Sequence, residues 1–325
     1  MLVPLLLSTR GAFQTTLNLT VKSFRPKRKD PLLLPSNACA TGWMRALSTI
    51  RDKLIRQLIP RAIRNWLRNP NKSLEYLWDR LKFRFGQTQR IKVRDDWEVI
   101  CHPAARDHFE VFLTDPIQAG ELDSFILHCP AGIRLLDVGA HYGFFALAAL
   151  RYGGPEAQVV CVEASPRAAG VLSVILKLNK CSDRVKLMNV AMGEVDGVLP
   201  MLTTGPLGAD YFVVPTEARS DTISVPQLTL ASLLAKTDFI PTHIKMDIEG
   251  FEYEVIQAGL DILKKLHPVI FLELHGTALI ARGKDPLAVI RMLEQAGYTQ
   301  FTLAEESLAA QKMAELGYNC RMICS

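Results

Sequence analysis

From Ile133 onward the chain repeats one pattern: a short, continuously apolar run, then a segment with apolar residues at helical spacing. The apolar runs cover 133–138, 158–163, 185–191, 243–247 and 269–274, and two shorter ones at 301–303 and 320–323 close the series. Helical spacing covers 144–152, 166–179, 230–236, 252–266 and 286–296. Runs such as Val159-Val160-Cys161-Val162 do not alternate with polar residues. Strands of that kind are buried on both faces, under helices. Alternating strand and helix imply a mostly parallel sheet with right-handed crossovers. The expected fold is therefore α/β and doubly wound, a Rossmann-like, mostly parallel seven-stranded sheet. A less regular stretch holding Gly193, Gly197, Gly205 and Gly208 interrupts the pattern, and 91–129 read as a lead-in of short strands and one helix, 115–128.

Charge separates this part from what precedes it. Residues 1–95 carry 20 Lys and Arg against 5 Asp and Glu, whereas the remainder carries 18 against 28. Three regions follow: a basic tail at 1–40, expected to be disordered; a basic, amphipathic helical extension at 41–95; and a globular domain at 96–325. The run Arg25-Pro26-Lys27-Arg28-Lys29 suits an anionic surface or a solvated tail. Within 42–68, Trp43, Leu47, Ile50, Leu54 and Leu58 recur at helical spacing among basic residues, and Pro60 should break the helix. That stripe can dock on the globular domain or lie on an anionic membrane. The apolar run 2–7 is far shorter than a membrane span and lacks a basic leader before it. The seven Cys form no CxxC pair, and several sit in strand-like runs, as expected of buried, reduced thiols. The spacing of Cys320 and Cys324 is too slight to mark a metal site. The expectation is a cytoplasmic protein, peripheral to a membrane at most, and the basic segment carries no nucleic-acid motif.

Four segments carry chemistry. The first is Leu135-Leu136-Asp137-Val138-Gly139-Ala140-His141-Tyr142-Gly143, a strand, a tight turn and a helix start. Gly139 and Gly143 let the backbone bend and approach a ligand. A dinucleotide fold requires GxGxxG at this place, so that a pyrophosphate rests on bare amides; here the spacing is GxxxG with an acid just before it. An anion would be repelled there, and a cationic ligand such as a sulfonium amino acid favoured. The second is Glu163, 24 residues after Gly139 at the next strand's end, where a carboxylate can accept both hydroxyls of a ribose. Its plainer role is to open the helix that Ser165 and Pro166 begin. The third is Lys245-Met246-Asp247-Ile248-Glu249-Gly250-Phe251-Glu252. Asp247 ends a central strand and can orient or deprotonate an acceptor, while acids such as Glu249 and Glu252 can simply offset a helix dipole. The fourth is Glu273-Leu274-His275, where the acid and the imidazole share one side of a strand's end and His275 is a candidate general base. Asp247, Glu249, Glu273 and His275 could alternatively gather a divalent metal, although nothing in their spacing demands one and none is expected.

Taken in order and spacing, these segments resemble the FkbM family of S-adenosylmethionine-dependent methyltransferases over about 133–275. The family's DVGANxG turn corresponds to 137–143, its acid and proline to Glu163 and Pro166, and its KxDxEGxE signature to 245–252; Pro268 to Glu273 matches its later strand. Asn189-Val190-Ala191-Met192-Gly193 is similar to the family's third strand and turn, and 228–234 to its TLDxL segment. His141 stands where the family often has Asn, and Ser232 replaces the Asp of TLDxL. The resemblance implies a class I methyltransferase fold and O-methylation of a sugar, glycolipid or other natural-product hydroxyl. It implies that Asp137, Gly139, Ala140, His141 and Gly143 hold the methionine end of S-adenosylmethionine, Glu163 its ribose, and Asn189 and Ala191 its adenine side. Asp247 and Glu249 would face the acceptor, with Asp247 or His275 as base beside Glu273. Two alternatives stand beside it: a nicotinamide-dependent oxidoreductase, which the missing third glycine and Asp137 oppose, and a non-catalytic binding module, which the intact turn and strand-end acids oppose.

Overall fold

The computed structural model describes residues 78–79, 81–94, 96–202, 222–303, 306–307 and 319–325. All of them belong to one compact unit, residues 60–325. The tail at 1–40, the amphipathic segment at 42–68 and its proline break, and Cys39, Gly205 and Gly208 lie outside the described residues.

The strands are β1 (Gln89–Arg94), β2 (Trp97–Cys101), β3 (Arg134–Val138), β4 (Gln158–Val162), β5 (Val185–Met188), β6 (Ala191–Met192), β7 (Gly197–Leu202), β8 (Thr222–Leu228), β9 (His243–Met246), β10 (Val269–His275), β11 (Phe301–Leu303), β12 (Glu306–Ser307) and β13 (Asn319–Cys324). The helices are α1 (Arg106–Thr114), α2 (Pro116–Leu127), α3 (Phe144–Tyr152), α4 (Pro166–Leu178), α5 (Leu230–Thr237), α6 (Glu252–Leu266), α7 (Gly276–Ala281) and α8 (Pro286–Gln295). The main sheet runs β12-β11-β13-β10-β9-β3-β4-β5. Seven of these strands are the expected ones, and the two-residue β12 extends the edge. From β5 to β10 every pair is parallel, and β13 and β11 add antiparallel neighbours.

Alternate residues of each strand feed opposite cores, as strand geometry requires. Leu136, Val138, Val160, Val162, Ile270 and Leu272 pack on one side with α5, α6 and α8. Leu135, Val159, Cys161 and Phe271 pack on the other with α1 to α4. The helix starts follow from sequence. Asp115, Ser165 and Asp285 each cap a backbone N–H just before Pro116, Pro166 and Pro286, and Thr229 caps Ser232.

The structure departs from the sequence expectation in three places. The run 185–191 is divided: β5 stays in the main sheet, while Ala191 pairs with Gln227 in a separate sheet, β6-β8-β7, built from the stretch that looked irregular. The strand β1 pairs antiparallel with β2, so this hairpin spans the expected boundary at 95 and 96. Arg106–Thr114 form a further helix in the lead-in, ahead of the one expected at 115–128. The six described cysteines are unpaired, five of them buried. No helix among the described residues is long and apolar enough to cross a membrane.

Candidate functional site

The chain runs β3, β4, β5 toward one edge of the sheet, then crosses back to lay β9 and β10 on the other side of β3. Doubly wound sheets bind ligands at such a reversal, beyond the carboxyl ends of the strands. A cleft of about 660 Å³ opens there, between the tips of β3, β4 and β9.

Gly139 fixes the geometry of its floor. It has φ +85°, and a Cβ on it would lie 1.8 Å from the carbonyl oxygen of Asp247. Only a bare Cα lets the tips of β3 and β9 come this close. Its N–H donates to Val162 O at 2.9 Å, and the Asp247 N–H donates to Val138 O at 3.0 Å, so three strand tips are tied through one turn. Gly143 has φ +81° and starts α3, with Leu172 Cδ1 2.3 Å from where its Cβ would stand.

Glu163 is buried at the cleft wall. Its Oε2 accepts the His141 N–H at 2.7 Å and its Oε1 accepts the Ser165 N–H at 2.7 Å. Burial raises its carboxyl to about 7, against the pull of those two amides. His141, at φ +47°, stacks on Tyr142 with centroids 3.8 Å apart, and its Nδ1 lies 3.4 Å from His108 Nε2. Burial holds both rings neutral, His141 lowered to about 3 and His108 to about 4. The small sheet and the chain leading into it supply the apolar wall through Ala191, Met192, Leu199 and Met201.

Of the eight candidate cofactor residues, Gly139, His141, Glu163 and Ala191 line the cleft; Asp137, Ala140, Gly143 and Asn189 do not. The Asp137 carboxyl is 2% exposed and lies under the turn, in the row that faces Lys245 across the β3–β9 pairing. Burial raises it to about 7, although the charge of Lys245 pulls the other way. Asn189 donates from Nδ2 to the carbonyls of Glu163 at 2.7 Å and Ala164 at 3.1 Å, and so ties the loop that carries Glu163. Ser232 turns away as well: its hydroxyl donates to Asp196, which also accepts the Thr229 N–H at 2.8 Å.

The four candidate catalytic residues converge. Asp247 and Glu249 line the cleft. Behind them His275 Nε2 lies 3.5 Å from Glu249 Oε2, 3.7 Å from Asp247 Oδ1 and 3.8 Å from Glu273 Oε1. His275 Nδ1 is 2.8 Å from Oε1 of the fully buried Glu252. Burial alone would lower the imidazole, but the Glu252 hydrogen bond and the charges of Glu252, Asp247 and Glu249 outweigh it and raise the ring to about 9. Burial and the charge of Asp247 raise Glu273 to about 7. Arg321 binds Glu273 Oε1 at 2.6 Å and Glu121 Oε2 at 2.8 Å, and Lys245 Nζ lies 3.0 Å from Glu121 Oε1. This leaves Glu273 engaged with Arg321, whereas Asp247 and Glu249 face the cleft.

Asp107 and His108, on α1, also line the cleft and were not anticipated. A usable signal was present: Phe109, Phe112 and Leu113 have the spacing of a buried helix face just after Pro103.

A model of the methyltransferase FkbM domain matches residues 137–299. No curated protein sequence matches the chain. Among solved structures, it is similar to the methyltransferase FkbM from Methylobacillus flagellatus KT, with 13% identity and a TM-score of 0.40; the match covers 59% of this chain and 43% of that one. Similarity to precorrin-6y C5,15-methyltransferase from Geobacter metallireducens GS-15 reaches 15% identity and a TM-score of 0.35, over 63% of this chain and 85% of that one. For the M. jannaschii tRNA m1G37 methyltransferase the values are 12% and 0.36, over 73% and 53%.

Proposed function

The chain belongs to the FkbM methyltransferase family, and from that premise we propose that it moves a methyl group from S-adenosylmethionine to a hydroxyl oxygen of a sugar, a glycolipid or another small natural product. The charge of the cleft carries this reading. Asp107, Glu163, Asp247 and Glu249 line it, and among the described residues no Lys or Arg does. Such a wall attracts a sulfonium and an ammonium group and repels a pyrophosphate, so the same observation speaks against a nicotinamide dinucleotide. The volume, about 660 Å³, is in the range of cofactor sites.

Each residue has a task that its surroundings suit. Each oxygen of Glu163 uses one lone pair on a backbone amide and retains another, enough for two ribose hydroxyls. Met192, Leu199 and Met201 offer an apolar surface to a purine face. Bound S-adenosylmethionine supplies a methyl group on a positively charged sulfur: an O–CH3 bond forms as the S–CH3 bond breaks, leaving a neutral thioether. The chain's contribution is mainly alignment of the acceptor with that methyl group. Asp247, at the tip of β9 beside Gly139, receives the hydroxyl proton, and His275 shares its charge from 3.7 Å.

The test is a screen of glycan and lipid acceptors with labelled S-adenosylmethionine, repeated with Asp247→Ala and His275→Ala. Turnover should fall by roughly a hundredfold or more while the donor still binds. Full activity in both variants removes the proton-transfer assignment, and absence of donor affinity in the native protein removes the whole reading.

A further inference from the structure

We propose that Asp247, Glu249 and His275 form a binding site for a divalent first-row metal ion whose open positions face the acceptor end of the cleft. Only the role of those open positions rests on the methyl-transfer reading; the ligand set itself is argued from side-chain geometry.

The imidazole is the first reason. Its Nδ1 is engaged with Glu252, a carboxyl with no exposure that also accepts the Gly250 N–H at 3.1 Å. This contact holds the ring in place, with the Nδ1–H donating to Glu252, so Nε2 is the ring nitrogen turned toward Asp247 and Glu249. The side chain is only 6% exposed, and Nε2 makes no hydrogen bond among the described residues. It points instead at Glu249 Oε2 and Asp247 Oδ1, 3.5 and 3.7 Å away, beyond ordinary hydrogen-bond length. In the free protein a proton on Nε2 lies toward these two carboxylates, and a metal ion held by all three side chains would take its place. A carboxylate behind a histidine, fixing its tautomer and orientation, is the common second support of a metal-bound ring.

The charges of the neighbourhood are the second reason. Lys245 and Arg321 are taken up by Glu121 and Glu273. Arg282 is held by Glu254 at 2.8 Å and lies over the Phe251 ring. Lys245 Nζ also lies 3.8 Å from Asp247 Oδ2, so Asp247 Oδ1 and Glu249 are the carboxylate oxygens left to the imidazole, and a divalent ion offsets their charge. Glu273 falls outside the set because Arg321 occupies it.

Spacing is the third. Metal–ligand bonds near 2.1 Å place neighbouring ligand atoms roughly 3.0–3.4 Å apart. The three ligand atoms lie within 4.8 Å of one another, and rotation of the exposed Glu249 side chain brings them to that spacing. The turn that aims Glu249 inward is set by its φ of +53° and by Gly250 at +99°, whose missing Cβ would fall 2.7 Å from Ala278 Cβ. One imidazole with two carboxylates suits Mn²⁺ and Zn²⁺ better than soft ions. Three protein ligands leave positions free, and a hydroxyl bound at one of them is acidified.

The full chain, stripped with a chelator, is titrated with MnCl2 and separately with ZnCl2, by calorimetry and, for Mn²⁺, by loss of the free-ion electron paramagnetic resonance signal. One ion per chain is expected. Glu249→Gln, at a half-exposed position outside the core, should weaken binding at least tenfold with unchanged thermal unfolding, as should Asp247→Asn; Glu163→Gln should leave it unchanged. Absence of binding by either ion, or equal binding by native protein and Glu249→Gln, overturns the site. S-Adenosylmethionine is titrated separately into the metal-free protein. Donor binding without ion binding refutes this inference alone, and ion binding without donor binding refutes only the methyl-transfer reading.

Discussion

The two ends of the cleft are built on opposite principles. At the β4 end, Glu163 is buried and each of its oxygens already holds a backbone amide, while Asn189 braces the loop from behind. Both oxygens of Glu163 have a local reason for their position, so that end is set before any ligand arrives. At the β9 end, Asp247 and Glu249 are partly exposed, approach each other with like charge, and share one imidazole at 3.5–3.7 Å. That end is arranged but not satisfied. The difference teaches which end is a fixed receptacle and which one is completed by something bound. A receptacle suits the part of a ligand that never changes, and an incomplete end suits the part where chemistry happens.

The most damaging way to break this comparison is to remove what both ends share. Gly139→Ala places a methyl group 1.8 Å from the Asp247 carbonyl and demands a left-handed backbone from an L-residue. Crowding and conformation together should cost about 3 kcal/mol or more in urea unfolding; a loss under about 1 kcal/mol would mean that the β3 and β9 tips are not locked together. Glu163→Gln acts at one end only. Loss of a charged acceptor should weaken S-adenosylmethionine by roughly 10- to 100-fold in calorimetry, with ion binding at the other end untouched. The same residue gives a pH signature. Its carboxyl titrates near 7 in the free protein because of burial, and the ribose hydroxyls favour the ionised form. Below pH 7 donor binding must therefore expel a proton, and affinity should fall by up to about tenfold per pH unit, flat above pH 8 and flat throughout in Glu163→Gln. Stability takes the opposite sign. Asp137 and Glu163, both raised to about 7, hold protons in the folded state that the unfolded chain has released, so their contribution declines as pH rises from about 4 to 7.

How far each end could be read from sequence follows the same division. The helices Pro166–Leu178, Leu230–Thr237 and Pro286–Gln295 were legible because an apolar period and a capping residue agree at each, and the buried strands because their apolar runs are continuous. Gly139, Glu163 and Asp247 were legible because each ends a strand, where a doubly wound sheet puts its ligands. The small sheet was not, since Val185 to Ala191 is one apolar run and periodicity cannot tell that Ala191 leaves β5's sheet to pair with Gln227. Nor was Asp137's true position: strand alternation places it on the face of Lys245, opposite Leu136 and Val138, and a motif alone does not say which face the cleft occupies. The apolar face of the helix that carries His108 can be read from its spacing, but the packing against Phe144 that brings His108 to the cleft cannot. The tightness of the acidic cluster also depends on long-range contacts, since Arg321 reaches Glu273 across 48 residues.

Asn189 offers the finest test of the comparison, because it lies at the receptacle end without lining it. Its Nδ2 donates to the carbonyl oxygens of both Glu163 and Ala164, so it acts on the ligand only through the loop. Asn189→Ala should cost about 1 kcal/mol of stability, the usual net value of such contacts. If the receptacle is preset, the amides of His141 and Ser165 keep the Glu163 carboxyl in position without help from Asn189. Donor affinity should then fall only by about two- to fivefold, and binding of Mn²⁺ at the β9 end should not change. A loss as large as that of Glu163→Gln would show instead that the carboxyl is held by its loop and not by its own two amides. In that case the β4 end would also be an arrangement completed by its ligand, and the distinction between the two ends would fall.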